Sequence, residues 1–514
     1  MRHNRGMMRQ AAIAAPNPIS TQAGQVALAH GGNAVDAALA AMLVASVTEP
    51  GLISPLGGCY VNIWPTSGDP VVVDGNVEMP GRGAPRERFG QGLIECVTTY
   101  GGGLTTYAGP GSVATPGMLA AMGWVHEQHG RAPWAELFDP AVRAVRQGFP
   151  VSQTAASYSA VVSDNIFGWD PVTRGVYTDD GNGLQAGHLI IDPDLAQTLE
   201  QIGADGAQTA YTGDLARIIA ADMDERGGLV TLADLAAYRP VVRPALHTHL
   251  GDWDLACNPP PAIGGPVLTA MLRLLADAPT PVTPIVAAQV MRRVLDLRLE
   301  RVDIAPDLEA AGMALLRDIA GARGLGLPTS ASTAHVSVVD EDGMACALTA
   351  SSGYGSGMTI SGTGVLANNA LGEPELNRRG LHALEPGTRM ASNMAPTTGR
   401  SRGGARLAIG TPGADRITTA LAQVLVHICL HGESLQEAID RPRLHVRHLD
   451  DGTVRIDHER DESLGASLAG SDLPLHEHEP HAMFFGGVGA AMRHEDGALS
   501  AGADPRRAAA TAVG

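Results

Sequence analysis

Residues 332–340 read Ser-Thr-Ala-His-Val-Ser-Val-Val-Asp, a mostly β-favouring run that closes on a Glu341-Asp342-Gly343 turn. Residues 344–349 supply a second such run, so the pattern predicts a β-hairpin. Upstream, residues 20–30 read as a helix broken at Gly31-Gly32. Asn33 is placed to cap a second helix, with Asp36 in its first turn where the dipole favours an acid, and small apolar residues carry it to Val47. A tight turn at Pro55-Leu56-Gly57-Gly58 leads into a strand ending near Trp64, and residues 71–74 form the next. Residues 138–147 and 215–224 have the spacing of amphipathic helices. Asn258-Pro259-Pro260-Pro261 predicts a rigid turn before a helix running to Leu275, and residues 276–327 are weakly patterned until 308–316. Residues 405–409 predict a strand that ends at Gly410-Thr411-Pro412-Gly413-Ala414-Asp415. A helix follows with Ile417, Leu421, Val424, Leu425 and Ile428 on one face, Thr411 as its expected N-cap and Pro412 in its first turn.

Composition narrows the function classes. The chain has 514 residues, 44% hydrophobic but only 4% aromatic, so a large core must be built from Ala, Val, Leu, Ile and Met. A net charge of −18 argues against nucleic acid and anionic membranes as partners. All 36 basic residues are arginine, which excludes a lysine Schiff base, a P-loop GK[ST] and SxxK chemistry. Gly101-Gly102-Gly103 and Gly109-Pro110-Gly111-Ser112 therefore read as turns and not as a phosphate cradle. The five cysteines are scattered without CxxC spacing and read as free thiols of a reducing compartment. The N-terminus leads into no apolar signal core and the longest apolar run, 37–47, is too short to span a bilayer, so the expected location is the cytoplasm.

The candidate chemistry sits where the glycine-rich run 321–328 meets the hairpin. A chain cut between Ser332 and Thr333 would leave Thr333 with both a hydroxyl and a free α-amine. That amine, with an unperturbed pKa near ~8, could act as base for its own hydroxyl. Backbone N–H groups of Gly413 and Ala414, where a strand turns into a helix, suit an oxyanion hole. His476-Glu477-His478-Glu479-Pro480-His481 invites a metal reading, but without a second ligand cluster it reads as a polar segment and no metal is expected.

The motifs at 333–340, at 361–369 (Ser-Gly-Thr-Gly-Val-Leu-Ala-Asn-Asn), at 31–38 and at 258–265 resemble the γ-glutamyltranspeptidase family of N-terminal-nucleophile hydrolases. The resemblance implies an α+β fold, a four-layer αββα sandwich. It implies a precursor that cuts itself into a large chain (1–332) and a small chain (333–514) that stay associated as one unit. It makes Thr333 the nucleophile and Ser351 its hydroxyl assistant, with Gly413 and Ala414 as the oxyanion hole. Glu373 would hold a substrate α-ammonium, Ser392 and Asn393 its α-carboxylate, and Asn369 belongs to the same substrate-binding set.

The chain also departs from the family. Relatives carry a carboxylate-clamping arginine between the strand's aspartate and a Glu-Met pair, whereas Asp74-Gly75-Asn76-Val77-Glu78-Met79 has none and Arg82 is off register. Ser352-Gly353 stands where an asparagine is expected, Ala370 replaces a glutamine, and the 376–388 loop is short. The leading expectation is a cofactor-free hydrolase and acyltransferase for small-molecule γ-glutamyl or related amides such as glutathione. An amidase or acylase for a non-γ-glutamyl acyl group is the alternative that the missing arginine suggests. An unprocessed, non-catalytic homologue is the third.

Overall fold

The computed structural model describes residues 9–98, 104–319, 333–449 and 451–514. The Gly101-Gly102-Gly103 turn, the 321–328 run and Ser332 lie outside them.

The expected hairpin is present and central. Strand Ala334–Asp340 pairs antiparallel with Ala345–Ser351 on one side and with Ala11–Ala15 on the other. The complete sheet has seven strands, all antiparallel: Ala510–Val513, Ala11–Ala15, Ala334–Asp340, Ala345–Ser351, Gly58–Trp64, Val71–Gly75 and Val241–Pro244. A second, six-stranded antiparallel sheet runs Leu499–Ala503, Gly489–Arg493, Arg406–Gly410, Thr397–Ser401, Trp253–Cys257 and Leu246–Leu250.

The two sheets pack face to face through small side chains, Ala12, Ala345 and Ala347 against Ala256, Ala408 and Ala491. Alternation along Ala334–Asp340 explains the layering. Val336 and Val338 point away from the second sheet into the larger core, where helix Ala34–Thr48 is buried along its whole length. Val339 points the other way, into the inter-sheet layer. Helices Gly264–Ala276 and Arg416–Cys429 cover the outer face of the second sheet. The order helix, sheet, sheet, helix is the expected four-layer sandwich.

Local signals account for most element ends. Asn33 caps Ala34–Thr48 in a reciprocal box with Asp36. The first helix spans Pro18–Ala29, starting earlier than its expected bound because Asn17 accepts the Ser20 N–H ahead of a proline at the first turn. Helix Pro284–Leu297 falls in the segment read as weakly patterned, capped by Thr283 and burying Ala287, Met291 and Val294 on one side. The 411–415 turn also differs from expectation. The helix begins at Arg416, and the Thr411 hydroxyl donates to Pro412 O (2.8 Å) and accepts from Gly487 N–H (2.9 Å) in place of capping it. All five cysteines are free thiols, and only Cys429 is not buried.

Candidate active site

Thr333 is 4% exposed at the head of the central strand, and it faces a pocket of about 30 Å³. The same pocket is lined by Ser351, Glu373, Ser392, Asn393 and Ala414. Residues from the central hairpin, the 370–394 loops and the turn before helix Arg416–Cys429 thus converge on one hydroxyl. Two sequence-named residues lie off the wall. Gly413 is adjacent to it, and Asn369 is committed to the loop beneath: its Oδ1 accepts the Tyr354 N–H (2.6 Å) and its Nδ2 donates to Tyr107 O (3.3 Å). A Cβ on Gly353, whose φ is +65°, would lie 2.0 Å from that Oδ1, so the Ser352-Gly353 turn needs glycine to close over Asn369. Asn76, Val77 and Met394 also line the pocket, and only their nearness in sequence to Glu78 and Ser392 signalled them.

His335, two residues into the strand run, is not a base for Thr333. Its Nε2 and Nδ1 lie 2.7 Å from Ser337 Oγ and 2.8 Å from Thr349 Oγ1. Ser337 Oγ donates to Gly489 O (3.1 Å), so it must accept from Nε2–H, which leaves Nδ1 to accept from Thr349. Burial lowers the imidazole pKa to about 3, holding it neutral. The ring also occupies the space above the second sheet: a Cβ on Gly410 would lie 2.3 Å from His335 Cε1.

The turn beside Thr333 has unusual backbone. Gly413 has φ +127° and Ala414 has φ +62°, a left-handed conformation costing an alanine roughly 1–2 kcal/mol. Among the described residues neither N–H donates a hydrogen bond, although Ala414 is 1% exposed. Unpaired donors on a strained turn next to a hydroxyl are what an oxyanion would occupy.

Two of the pocket's polar side chains, Glu373 and Asn393, carry atoms without partners. Glu373 is 2% exposed with Oε2 lacking a hydrogen-bond partner, and burial, then the nearby Glu375, raises its pKa well above the carboxylate range. Both polar atoms of the Asn393 amide are buried without partners. Ser392 Oγ accepts the Met394 N–H (3.2 Å), and Ser351 Oγ accepts the Gly353 N–H (3.0 Å).

No guanidinium lines this pocket among the described residues. Arg82 reaches Asp234 (3.4 Å) and Glu78 (3.5 Å) instead. Arg389 is buried against Asp74 (3.6 Å) and Glu78 (3.5 Å), stacks over Tyr238 and donates to Arg239 O (2.9 Å). Arg243 takes the other oxygen of Asp74 (2.9 Å). These acids hold the nearby arginines outside the pocket. A larger cavity of about 460 Å³ adjoins it, sharing Leu376 and Ala391 and lined by Arg378 and Arg379.

Among the described residues, two side-chain clusters have the donors for a metal ion: His427, His431 and Glu433, and Asp457, His476 and His478. In the second, parallel pairing of Asp457 with His476 brings a carboxylate from a neighbouring strand to the histidine run. In each, an arginine already sits on the carboxylate, Arg441 on Glu433 (2.8 Å) and Arg455 on Asp457 (3.0 Å), and neither cluster lines the Thr333 pocket.

The chain matches the family model described as gamma-glutamyltranspeptidase over residues 20–302 and 309–514. It belongs to that family, whose members are N-terminal-nucleophile hydrolases and acyltransferases. It is 29% identical over 464 residues to an acylase ACY 1 proenzyme from Pseudomonas sp. (strain SE83), covering 83% of this chain and 81% of the relative. It is equally 29% identical over 488 residues to the glutathione hydrolase 5 proenzyme of Mus musculus, covering 86% and 82%. The crystal structure of a cephalosporin acylase from Bacillus halodurans has the same fold, with a TM-score of 0.79 at 22% identity over 100% of this chain and 97% of that one.

Proposed function

We propose that the chain cuts itself before Thr333 and then acts as an amide hydrolase and acyl transferase on γ-glutamyl compounds. The observation that supports this reading is the convergence of Thr333, Ser351, Glu373, Ser392, Asn393 and Ala414 on one pocket. The freed α-amine takes the Thr333 hydroxyl proton, and Oγ attacks the substrate amide carbonyl. Ala414 N–H, with Gly413 N–H, stabilises the negative oxygen that forms. The amine leaves with the proton, and water or a second amine resolves the acyl-enzyme. Glu373 receives the acyl group's α-ammonium, while Ser392 Oγ and the Asn393 amide hydrogen-bond its carboxylate. Free, mostly buried thiols fit the expected cytoplasmic location. Gel and mass analysis of purified protein tests the reading: two chains, one starting at Thr333, with hydrolysis of a γ-glutamyl anilide, are expected. An uncut chain without hydrolase activity overturns it.

A second reading, an acylase for a small acyl group lacking the α-carboxylate, is favoured by one observation. The pocket wall carries polar amide and hydroxyl groups but no cation among the described residues. A preference for 4-aminobutyryl or butyryl anilide, which lack that carboxylate, over γ-glutamyl anilide would select it.

A further inference from the structure

Self-cleavage has a requirement that the mature enzyme does not. In the uncut chain the Thr333 nitrogen is an amide and has no basic lone pair, so another group must take the hydroxyl proton. His335 is committed on both nitrogens. On the acyl side the acid is Glu373, already assigned to the substrate ammonium.

Thr333 also borders a second cavity of about 30 Å³, lined by Glu49, Thr154, His335, Pro412 and Arg507. Its volume suits one or two waters. Glu49 is 2% exposed and held by Asn17 Nδ2 (2.8 Å) and Ser152 Oγ (3.2 Å). Arg507 brings Nε and Nη2 to this region without a hydrogen-bond partner for either. We propose that Glu49 is the base that takes the Thr333 hydroxyl proton during self-cleavage, directly or through one water in this cavity. The inference rests on the reading that the chain cuts itself before Thr333.

The steps balance. Oγ loses its proton to Glu49 and attacks the carbonyl carbon of the preceding residue. The C–N bond breaks as Glu49 returns that proton to nitrogen, leaving an ester on Oγ and a free amine. Water then adds across the ester, giving a carboxylic acid on the upstream chain and restoring the hydroxyl. From then on the amine is available as base. Burial pushes the Glu49 pKa up to about 7, against the lowering by Asn17, Ser152 and Arg507, so at neutral pH the carboxylate is both present and basic. Arg507 and the neutral His335 are the other titratable groups on this cavity.

The test is the rate at which freshly translated chain is cut, followed by gel and mass spectrometry between about pH 5.5 and 8.5. The wild-type rate rises through an inflection near pH 7. Glu49→Gln slows cutting by about 100-fold or more, in the range general bases supply, and loses the inflection. Glu49→Asp is slowed but keeps it, which a purely structural role would not predict. Cutting of Glu49→Gln at the wild-type rate overturns the proposal, and so does a flat wild-type profile, whether or not the variants fold. A wild-type chain that is never cut instead overturns the reading beneath it.

Discussion

The Nε2–H of His335 donates to Ser337 Oγ at 2.7 Å, and this bond fixes the tautomer because Ser337 spends its own proton on Gly489 O. The imidazole thus bridges Ser337 and Thr349 of the central hairpin, Ser337 carries the contact on to the second sheet, and protonating the ring would place a charge in a fully buried site. Its folded pKa of about 3 lies below the ordinary value of 6.5. Between these two values the unfolded chain binds a proton that the folded chain does not, so this residue's contribution is complete above pH 6.5 and falls on acidification. In an uncut Thr333→Ala background, going from pH 6.5 to 5.5 costs about 1 kcal/mol more than in the same chain carrying His335→Gln. Denaturant midpoints at the two pH values check this, and equal losses would remove His335 from the account.

Thr333→Ala gives a single uncut chain without hydrolase activity, seen as one band of full length. Thr333→Ser keeps a hydroxyl and is cut, though more slowly. A cut Thr333→Ala chain would place the nucleophile elsewhere.

Ala414 carries a left-handed φ of +62°. Ala414→Gly removes the side-chain clash while keeping the N–H, so kcat stays within about threefold and stability changes by no more than about 1 kcal/mol. Ala414→Val makes that conformation far costlier and shifts the donor. It lowers kcat by about 100-fold, the scale of one lost oxyanion donor. Steady-state rates with one substrate decide between a positioned N–H and an incidental turn.

Glu373→Gln separates the two substrate readings. If the pocket holds an α-ammonium, kcat/KM for γ-glutamyl anilide falls by about 100-fold, whereas glutaryl anilide, without that amine, changes less than about threefold. Because burial and the nearby Glu375 raise the Glu373 pKa above its ordinary range, the γ-glutamyl KM of the wild type falls as pH rises.

Arg82→Ala lowers kcat/KM for γ-glutamyl anilide less than about threefold, because its guanidinium is turned toward Asp234 and Glu78 and does not line the pocket. A loss above about 30-fold would make it the missing carboxylate clamp.

The sequence carried the parts of this fold that local chemistry decides. The hairpin after Thr333 follows from β-branched residues and a glycine turn, and the Asn33 cap follows from its spacing to Asp36. Helix Pro284–Leu297 was equally available from Thr283-Pro284 and the buried Ala287, Met291 and Val294, but its hydrophobic spacing was diluted by Gln289 and the Arg292-Arg293 pair. Other features depend on long-range packing that no spacing encodes. Glu49 borders the same cavity as Thr333 only because the helix Ala34–Thr48 lies across the sheet. Asp74 binds Arg243 and Arg389 from far along the chain. Asn369, the last residue of a well-matched motif, is engaged by the loop scaffold because the Ser352-Gly353 turn folds onto it.

The strand that begins after Thr333 lies between a partner from before it, Ala11–Ala15, and one from after it, Ala345–Ser351. Severing the backbone ahead of Thr333 therefore yields two polypeptides laced through a common sheet, with no seam along which they can part. Folding is unimolecular only before the cut. A chain cut there and then fully unraveled must find its other half by diffusion, so its survival would rest on how slowly it opens and its refolding yield would depend on concentration.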